Sequence, residues 1–131
     1  MCCHVLERGW SDWRSFEYFY GPQSEQFSFY RIPKLLFADE AFENLSIQAV
    51  VLYGMLLDRM SLSAKNGWLD DENRVYVVFS IAEIMEKFRC ANKKAGQFLS
   101  ELEDAGLIVK KRRGQGKTNL IYVKNFINIA F

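Results

Sequence analysis

Between Cys90 and Lys124 the chain reads CANKKAGQFLSELEDAGLIVKKRRGQGKTNLIYVK, and few folds accommodate that order of segments. Ala95, Phe98, Leu99 and Leu102 fall at the i, i+3, i+4, i+7 spacing of a helix that buries one face. A helix is therefore predicted from about Asn92 to Ala105, ended by Gly106 in the place of a C′ glycine. Leu107–Val109 and Leu120–Val123 read as two strands, with Gly114 and Gly116 at the turn of the hairpin between them. A helix that opens on lysines and runs at once into a basic, Gly-tipped hairpin is the sequence form of a winged helix-turn-helix, which points to double-stranded DNA.

The formal net charge of +1 conceals an asymmetry. Residues 87–131 carry ten Lys/Arg against three Asp/Glu, whereas residues 1–86 carry seven against thirteen. Cations concentrated in one third of the chain imply one oriented basic face rather than a general affinity for anions. An ordinary solvated surface is the alternative that charge alone leaves open. With 131 residues, half of them hydrophobic and a quarter charged, the chain has the composition of a single globular domain. No apolar run reaches the ~18–20 residues of a membrane span, and MCCHVLERGWSDW lacks the apolar stretch of a signal peptide. Three cysteines, two of them adjacent, make no disulfide framework, so the expected location is the reducing cytoplasm.

Residues 1–26 are expected to form an N-terminal aromatic-rich arm, with Trp10, Trp13, Phe16, Tyr18, Phe19 and Tyr20 ahead of Gly21-Pro22. They read equally as a loose tail or as a segment that packs on the domain or on a second subunit. Residues 27–131 are the expected winged-helix domain. Phe27 to Ile32 (FSFYRI) alternates like a strand, which Pro33 ends. Asp39-Glu40 opens a short helical turn carrying Phe42. A longer helix is predicted from the N-cap residue Ser46 to about Met60. Its core face is expected to hold Ile47, Val50, Val51, Gly54, Leu57 and Met60, widened by Leu52, Met55 and Leu56. Gly54 inside a helix costs ~1 kcal/mol against Ala, which implies a closely crossing backbone. Trp68-Leu69 and Arg74 to Phe79 should form an inner hairpin around Asp70-Asp71-Glu72-Asn73, an acidic turn that belongs away from a DNA face. Ser80-Ile81-Ala82-Glu83 is a capping box, opening a helix to about Phe88 with Ile81, Ile84, Met85 and Phe88 inward. The fold class is α+β: a winged helix-turn-helix with about three main helices, an inner hairpin and a C-terminal basic wing.

In a helix-turn-helix the N-terminal residues of the second helix meet base edges. Here those residues are Asn92, Lys93, Lys94 and Gln97. Asn and Gln pair bidentately with adenine, and Lys reaches guanine or a phosphate. Glu101 and Asp104, toward the far end, are expected on the outside and off the duplex. The wing contributes Lys110, Lys111, Arg112, Arg113, Gln115, Lys117 and Asn119. Strand alternation lets about three of its five cations touch phosphate at once, and Arg suits a narrow minor groove. Gly116-Lys117-Thr118 mimics the end of a phosphate-binding loop, but the opening Gly would fall at Lys111 and a strand follows where a helix is required. Cys2-Cys3-His4, with adjacent ligands and no second pair, is a poor tetrahedral metal site. The single His is at the terminus and Cys90 has no evident base, so no enzyme activity, metal or cofactor is expected.

FEYFYG (Phe16–Gly21), EQFSFYRIPKLLF (Glu25–Phe37), LYGMLLDRMSLSAKNGWLDDENRVYVVF (Leu52–Phe79), ELEDAGLI (Glu101–Ile108) and GQGKTNLIYVKNF (Gly114–Phe126) together resemble the N-terminal domain of replication initiator protein A (RepA) of Gram-positive plasmids and related mobile elements. The resemblance covers most of residues 16–126. It implies a winged-helix domain that binds repeated double-stranded DNA sites at a replication origin as a homodimer, with the recognition helix at Asn92 to Ala105 and the wing at Lys110 to Asn119. It further implies that host replication proteins are recruited through a C-terminal domain that lies beyond this chain. A protein-interaction module and a transcription regulator are the alternatives on the same fold. Two departures stand out. Ala91 occupies a position where such helices often carry a capping Ser or Thr, and residues 1–15 match nothing in the family.

Overall fold

The computed structural model describes residues 16–18, 20–21 and 28–125. In chain order its elements are α1 (Leu35–Ala38), a 3₁₀ turn (Glu40–Phe42), α2 (Ile47–Lys65), β1 (Val77–Val78), α3 (Ile81–Phe88), α4 (Asn92–Asp104), β2 (Ile108–Lys111) and β3 (Leu120–Val123). The strands form one antiparallel sheet in the order β1-β3-β2. Helices α3 and α4 are the helix-turn-helix and β2-β3 is the wing, so the α+β winged-helix expectation holds. Leu52, Leu56, Ile84, Leu102, Ile108 and Ile121 are buried where α2, α3, α4 and the inner face of the sheet meet. Each such side chain contributes about 1.5–3 kcal/mol of transfer free energy.

Helix α2 begins as predicted, with the Ser46 hydroxyl accepting the Ala49 amide at 3.1 Å. It runs on to Lys65 instead of stopping at Met60, because nothing in Ser61-Leu62-Ser63-Ala64-Lys65 breaks a helix. Its buried face is also rotated from the predicted one. Val50, Leu52, Gly54 and Leu56 are buried as predicted, but Ile47 is 64% exposed and Ala49 and Tyr53, outside the predicted face, are buried. A helix that is apolar most of the way round carries a weak periodic signal, so the phase of its core stripe is poorly encoded. Gly54 behaves as expected. A Cβ there would stand 3.0 Å from Ile32 Cγ1 and 3.1 Å from the Arg31 carbonyl oxygen.

That crossing explains one correction. Residues 28–33 form no strand; they pass over α2 and lead, through a turn in which the Pro33 carbonyl accepts the Leu36 amide, into the unpredicted α1. Phe27 and the remaining arm residues lie outside the described residues. The inner hairpin shrinks to a single bridge, Leu69 to Val75, because Val77 and Val78 pair with Ile121 and Leu120 of β3 instead. The sheet edge supplies both hydrogen bonds and a place in the core for Val77, which a free-standing hairpin could not.

Candidate nucleic-acid interface

Helix α3 is braced at every point. The Glu83 amide donates to the Ser80 hydroxyl at 3.1 Å and the Ser80 amide to Glu83 Oε1 at 3.4 Å, completing the capping box. Arg59 of α2 donates to Glu83 Oε2 at 2.8 Å and to the Val78 carbonyl at 3.0 Å, with its guanidinium 4.8 Å from the Phe79 ring centre. Burial pushes the Glu83 carboxyl up, but the Arg59 and Ser80 hydrogen bonds and the Arg59 and Lys87 charges outweigh it and hold it below its ordinary value. Arg89, at φ 53°, ends α3 in the left-handed region and turns the chain toward α4. The Phe88 and Phe98 rings, 5.6 Å apart, pack the two helices together.

Helix α4 is the opposite at its start. Ala91 offers no side-chain cap, no acid stands in the first turn, and Lys93 and Lys94 are there instead. Its last turn carries Glu101, Glu103 and Asp104 and no base. The helix macrodipole favours the reverse on both counts. Uncapped amides and two lysines converge on an exposed end that attracts an anion. At about 100° per residue, Lys93, Gln97 and Ser100 run down the middle of the outward face. Asn92 and Lys94 sit on its two flanks, and all five are exposed. The far end closes with Gly106 at φ 79°, its amide donating to the Glu103 carbonyl and the Leu107 amide to the Leu102 carbonyl. That is a Schellman motif, and it launches β2 without an intervening loop.

The wing divides its cations. Lys110 pairs with Ile121 across the sheet, so it lies on the core-facing side, where its ammonium is 3.5 Å from Glu103. Arg113 donates from Nε to the Thr118 carbonyl at 2.8 Å and braces the tip, while Gly114 (φ 114°) and Gly116 (φ 79°) make the turn. Lys111, Arg112 and Lys117 are exposed, with no hydrogen-bond or ion-pair partner among the described residues, and Lys93 and Lys94 are in the same condition. Gln115 is exposed at the tip and Asn119 half-buried at its base.

The acidic turn is fastened to the side of the sheet that carries Val109, Lys111 and Tyr122. Asp70 accepts from the Glu72 amide (2.9 Å), the Arg74 amide (2.8 Å), Arg74 Nε (2.8 Å) and the Tyr122 hydroxyl (3.1 Å). Tyr122 pairs with Val109 on the side of the sheet opposite Ile108 and Ile121, and Arg74 stacks 5.0 Å from its ring centre. Partial burial pushes the Asp70 carboxyl up, but the Arg74, Glu72 and Tyr122 hydrogen bonds outweigh it and bring it down to about 2.

Two residues that matter here were not legible as site residues. Arg59 was hidden in an apolar helix. Glu101 was expected outside, yet its carboxylate accepts the Ser46 amide at 2.7 Å and the Ser46 hydroxyl at 3.1 Å. No group of His, Cys, Asp or Glu among the described residues is placed to hold a metal ion, and Cys2-Cys3-His4 lies outside them. No helix among the described residues is long and apolar enough to cross a membrane.

A family model described as the N-terminus of replication initiator protein A (RepA) matches residues 28–130. A 41 kDa protein of Lactobacillus helveticus is 29% identical over 94 residues, which are 70% of this chain and 27% of that protein. The chain thus spans about a quarter of that relative's length. Among solved structures, an N-terminal domain of a DNA-binding protein is 35% identical at a TM-score of 0.68, covering 85% of each chain. A Rep–DNA complex is 36% identical at a TM-score of 0.68, covering 83% of this chain and 84% of that one. An MDR initiator is 32% identical at a TM-score of 0.66, covering 83% of this chain and 86% of that one.

Proposed function

Because the chain belongs to the family of replication initiator protein A (RepA) N-termini, we propose that it binds repeated double-stranded DNA sites at the replication origin of a plasmid or mobile element. The observation that carries this reading is the start of α4: an uncapped helix end with Lys93 and Lys94, next to a wing with Lys111, Arg112 and Lys117 unpaired among the described residues. In a lone protein that grouping is electrostatically unfavourable, and a phosphate backbone relieves it. Asn92 and Gln97 read base edges, and Lys93 and Lys94 reach guanine and the phosphates beside it. The wing tip, including Gln115 and Asn119, holds the backbone, and Arg113 and Lys110 keep the wing in shape. The task is binding, with no catalytic step.

Residues 1–26 act as an arm on the winged-helix domain of residues 27–131, and the protein works in the cytoplasm as a homodimer. The rings of Phe16, Tyr18 and Tyr30 are exposed, which favours their use in self-association. Recruitment of host replication proteins is assigned to regions of such initiators outside this domain. The test is a search for direct repeats in and beside the gene, followed by anisotropy with a duplex carrying them against a scrambled duplex of equal length, at 150 mM salt. Selective binding to the repeats is expected. Equal affinity for both duplexes refutes the site-specific reading, and selective binding to promoter DNA instead favours a regulator. A solution mass that stays that of one subunit at high concentration removes the homodimer.

A further inference from the structure

Helices α2 and α3 begin with the same need and meet it differently. Each starts at a serine whose hydroxyl accepts the amide three residues on, from Ala49 in α2 and from Glu83 in α3, both at 3.1 Å. In α3 the residue that returns the bond to the serine amide is Glu83, in the same turn. In α2 that position is Ala49, which is fully buried and leaves no room for a carboxylate. The carboxylate comes instead from α4: Glu101 Oε1 accepts the Ser46 amide at 2.7 Å, and Oε2 accepts the Ser46 hydroxyl at 3.1 Å. The capping box of α2 is thus completed by a residue from the helix that carries the base-reading candidates.

We infer that Glu101 is a positioning residue for DNA reading, whose two hydrogen bonds to Ser46 set the angle at which α4 presents Asn92, Lys93 and Gln97. The inference rests on the DNA-binding role proposed above. Apolar packing through Ala95, Phe98, Leu99 and Leu102 holds α4 against the core, and directional bonds select one orientation among the crossing angles such packing tolerates. The directional ties lie on its two flanks. Glu103 reaches Lys110 of the wing at 3.5 Å, a partly exposed pair, and Glu101 makes the shorter, half-buried contacts with α2. Bonds from amide and hydroxyl to a carboxylate are roughly twice as strong as neutral ones, and the carboxylate also meets the positive end of α2. Nine residues of helix separate Glu101 from Asn92, a lever of roughly 13 Å at 1.5 Å per residue. A tilt of about 5° about Glu101 moves the reading end by about 1 Å over that lever, enough to break a bidentate base contact whose useful range is about half an ångström.

The test compares Glu101→Ala and Glu101→Gln with wild type on the repeat duplex and on a scrambled one, with folding followed by circular dichroism. Glutamine still accepts the Ser46 amide and can donate to its hydroxyl, so it retains the geometry. The ratio of specific to scrambled affinity is expected to fall about tenfold in Glu101→Ala, the worth of roughly one bidentate base contact. Affinity for scrambled DNA and the salt slope should stay put, and Glu101→Gln should restore the ratio. Should Glu101→Ala melt below the assay temperature, Glu101→Asp replaces it, one methylene too short to reach both donors. A folded variant with an unchanged ratio, or one that loses both affinities in parallel, overturns the inference. Wild-type protein that does not prefer the repeats overturns the parent reading instead.

Discussion

The division of the wing cations gives a quantitative prediction about salt. Lys93, Lys94, Lys111, Arg112 and Lys117 have no partner among the described residues, whereas Lys110 is committed to Glu103 and Arg113 to the Thr118 carbonyl. About five phosphate contacts at ~0.9 counterion each give a slope of log affinity on log salt near −4.5 per subunit. Raising salt from 50 to 200 mM should then weaken binding roughly 500-fold. The double variant Arg112→Ala/Lys117→Ala removes two contacts, so its slope falls to about −2.7 and the same salt step costs only roughly 40-fold. Lys110→Ala is the control. It breaks a partly exposed ion pair of about 0–1 kcal/mol and should leave the slope within about 0.3 of wild type. Anisotropy titrations on the repeat duplex at four or more salt concentrations measure all three slopes. A Lys110→Ala slope that changes by half as much as the double variant's or more, or a double variant with the wild-type slope, refutes this division of labour.

The two helical glycines should answer the same substitution with opposite signs. Gly54→Ala pushes a Cβ to 3.0 Å from Ile32 and 3.1 Å from the Arg31 carbonyl and should cost about 1 kcal/mol net in urea unfolding, whereas Gly96→Ala meets open space and should gain about 0.5–1 kcal/mol. Asp70 titrates at about 2 in the folded chain against an ordinary value of 3.8, so its contribution is fully present above the ordinary value and is lost as pH falls through about 2. The NMR signals of Tyr122 should accordingly keep their native shifts down to about pH 3 in wild type and lose them at neutral pH in Asp70→Ala. Ala91→Asp supplies the missing cap and complements the dipole, so it should stabilise the fold by about 1 kcal/mol. The same carboxylate repels phosphate, so DNA affinity should fall although stability rises, and a rise in both would show that this helix end does not meet the backbone.

What the sequence made legible was what local rules control. The capping box at Ser80, the C′ glycine at Gly106, the N-cap at Ser46 and the crowding at Gly54 each depend on residues within one turn or on one absent side chain, and each is present in the structure. Features decided by distant partners were misread. FSFYRI has strand-like alternation, but a strand needs an edge to pair with, and the free edge of β3 went to Val77 and Val78. Lys110 looked like one of five equivalent wing cations until the register with Ile121 placed it on the core side beside Glu103. Glu101 had the spacing of a solvated position, and only the approach of α2 turned it inward.

The contrast between the two helices of the motif carries the functional argument further than any single contact. Helix α3 obeys every local rule, with a complete capping box, an acid in its first turn, a base in its last and an arginine tie to α2. Helix α4 breaks the same rules at its start and then gives two of its three acids to neighbours, Glu101 to α2 and Glu103 to the wing. A chain selected for stability alone would place Ser or Asp at residue 91 and keep lysines out of the first turn, gains of about 1 kcal/mol each at most. Local conflict confined to one helix end, on an otherwise consistent scaffold, marks the place where function is traded against stability. Glu101 and Glu103, at the other end, fasten α4 to both neighbours and leave its basic end exposed, the arrangement expected of a helix that presents that end to DNA.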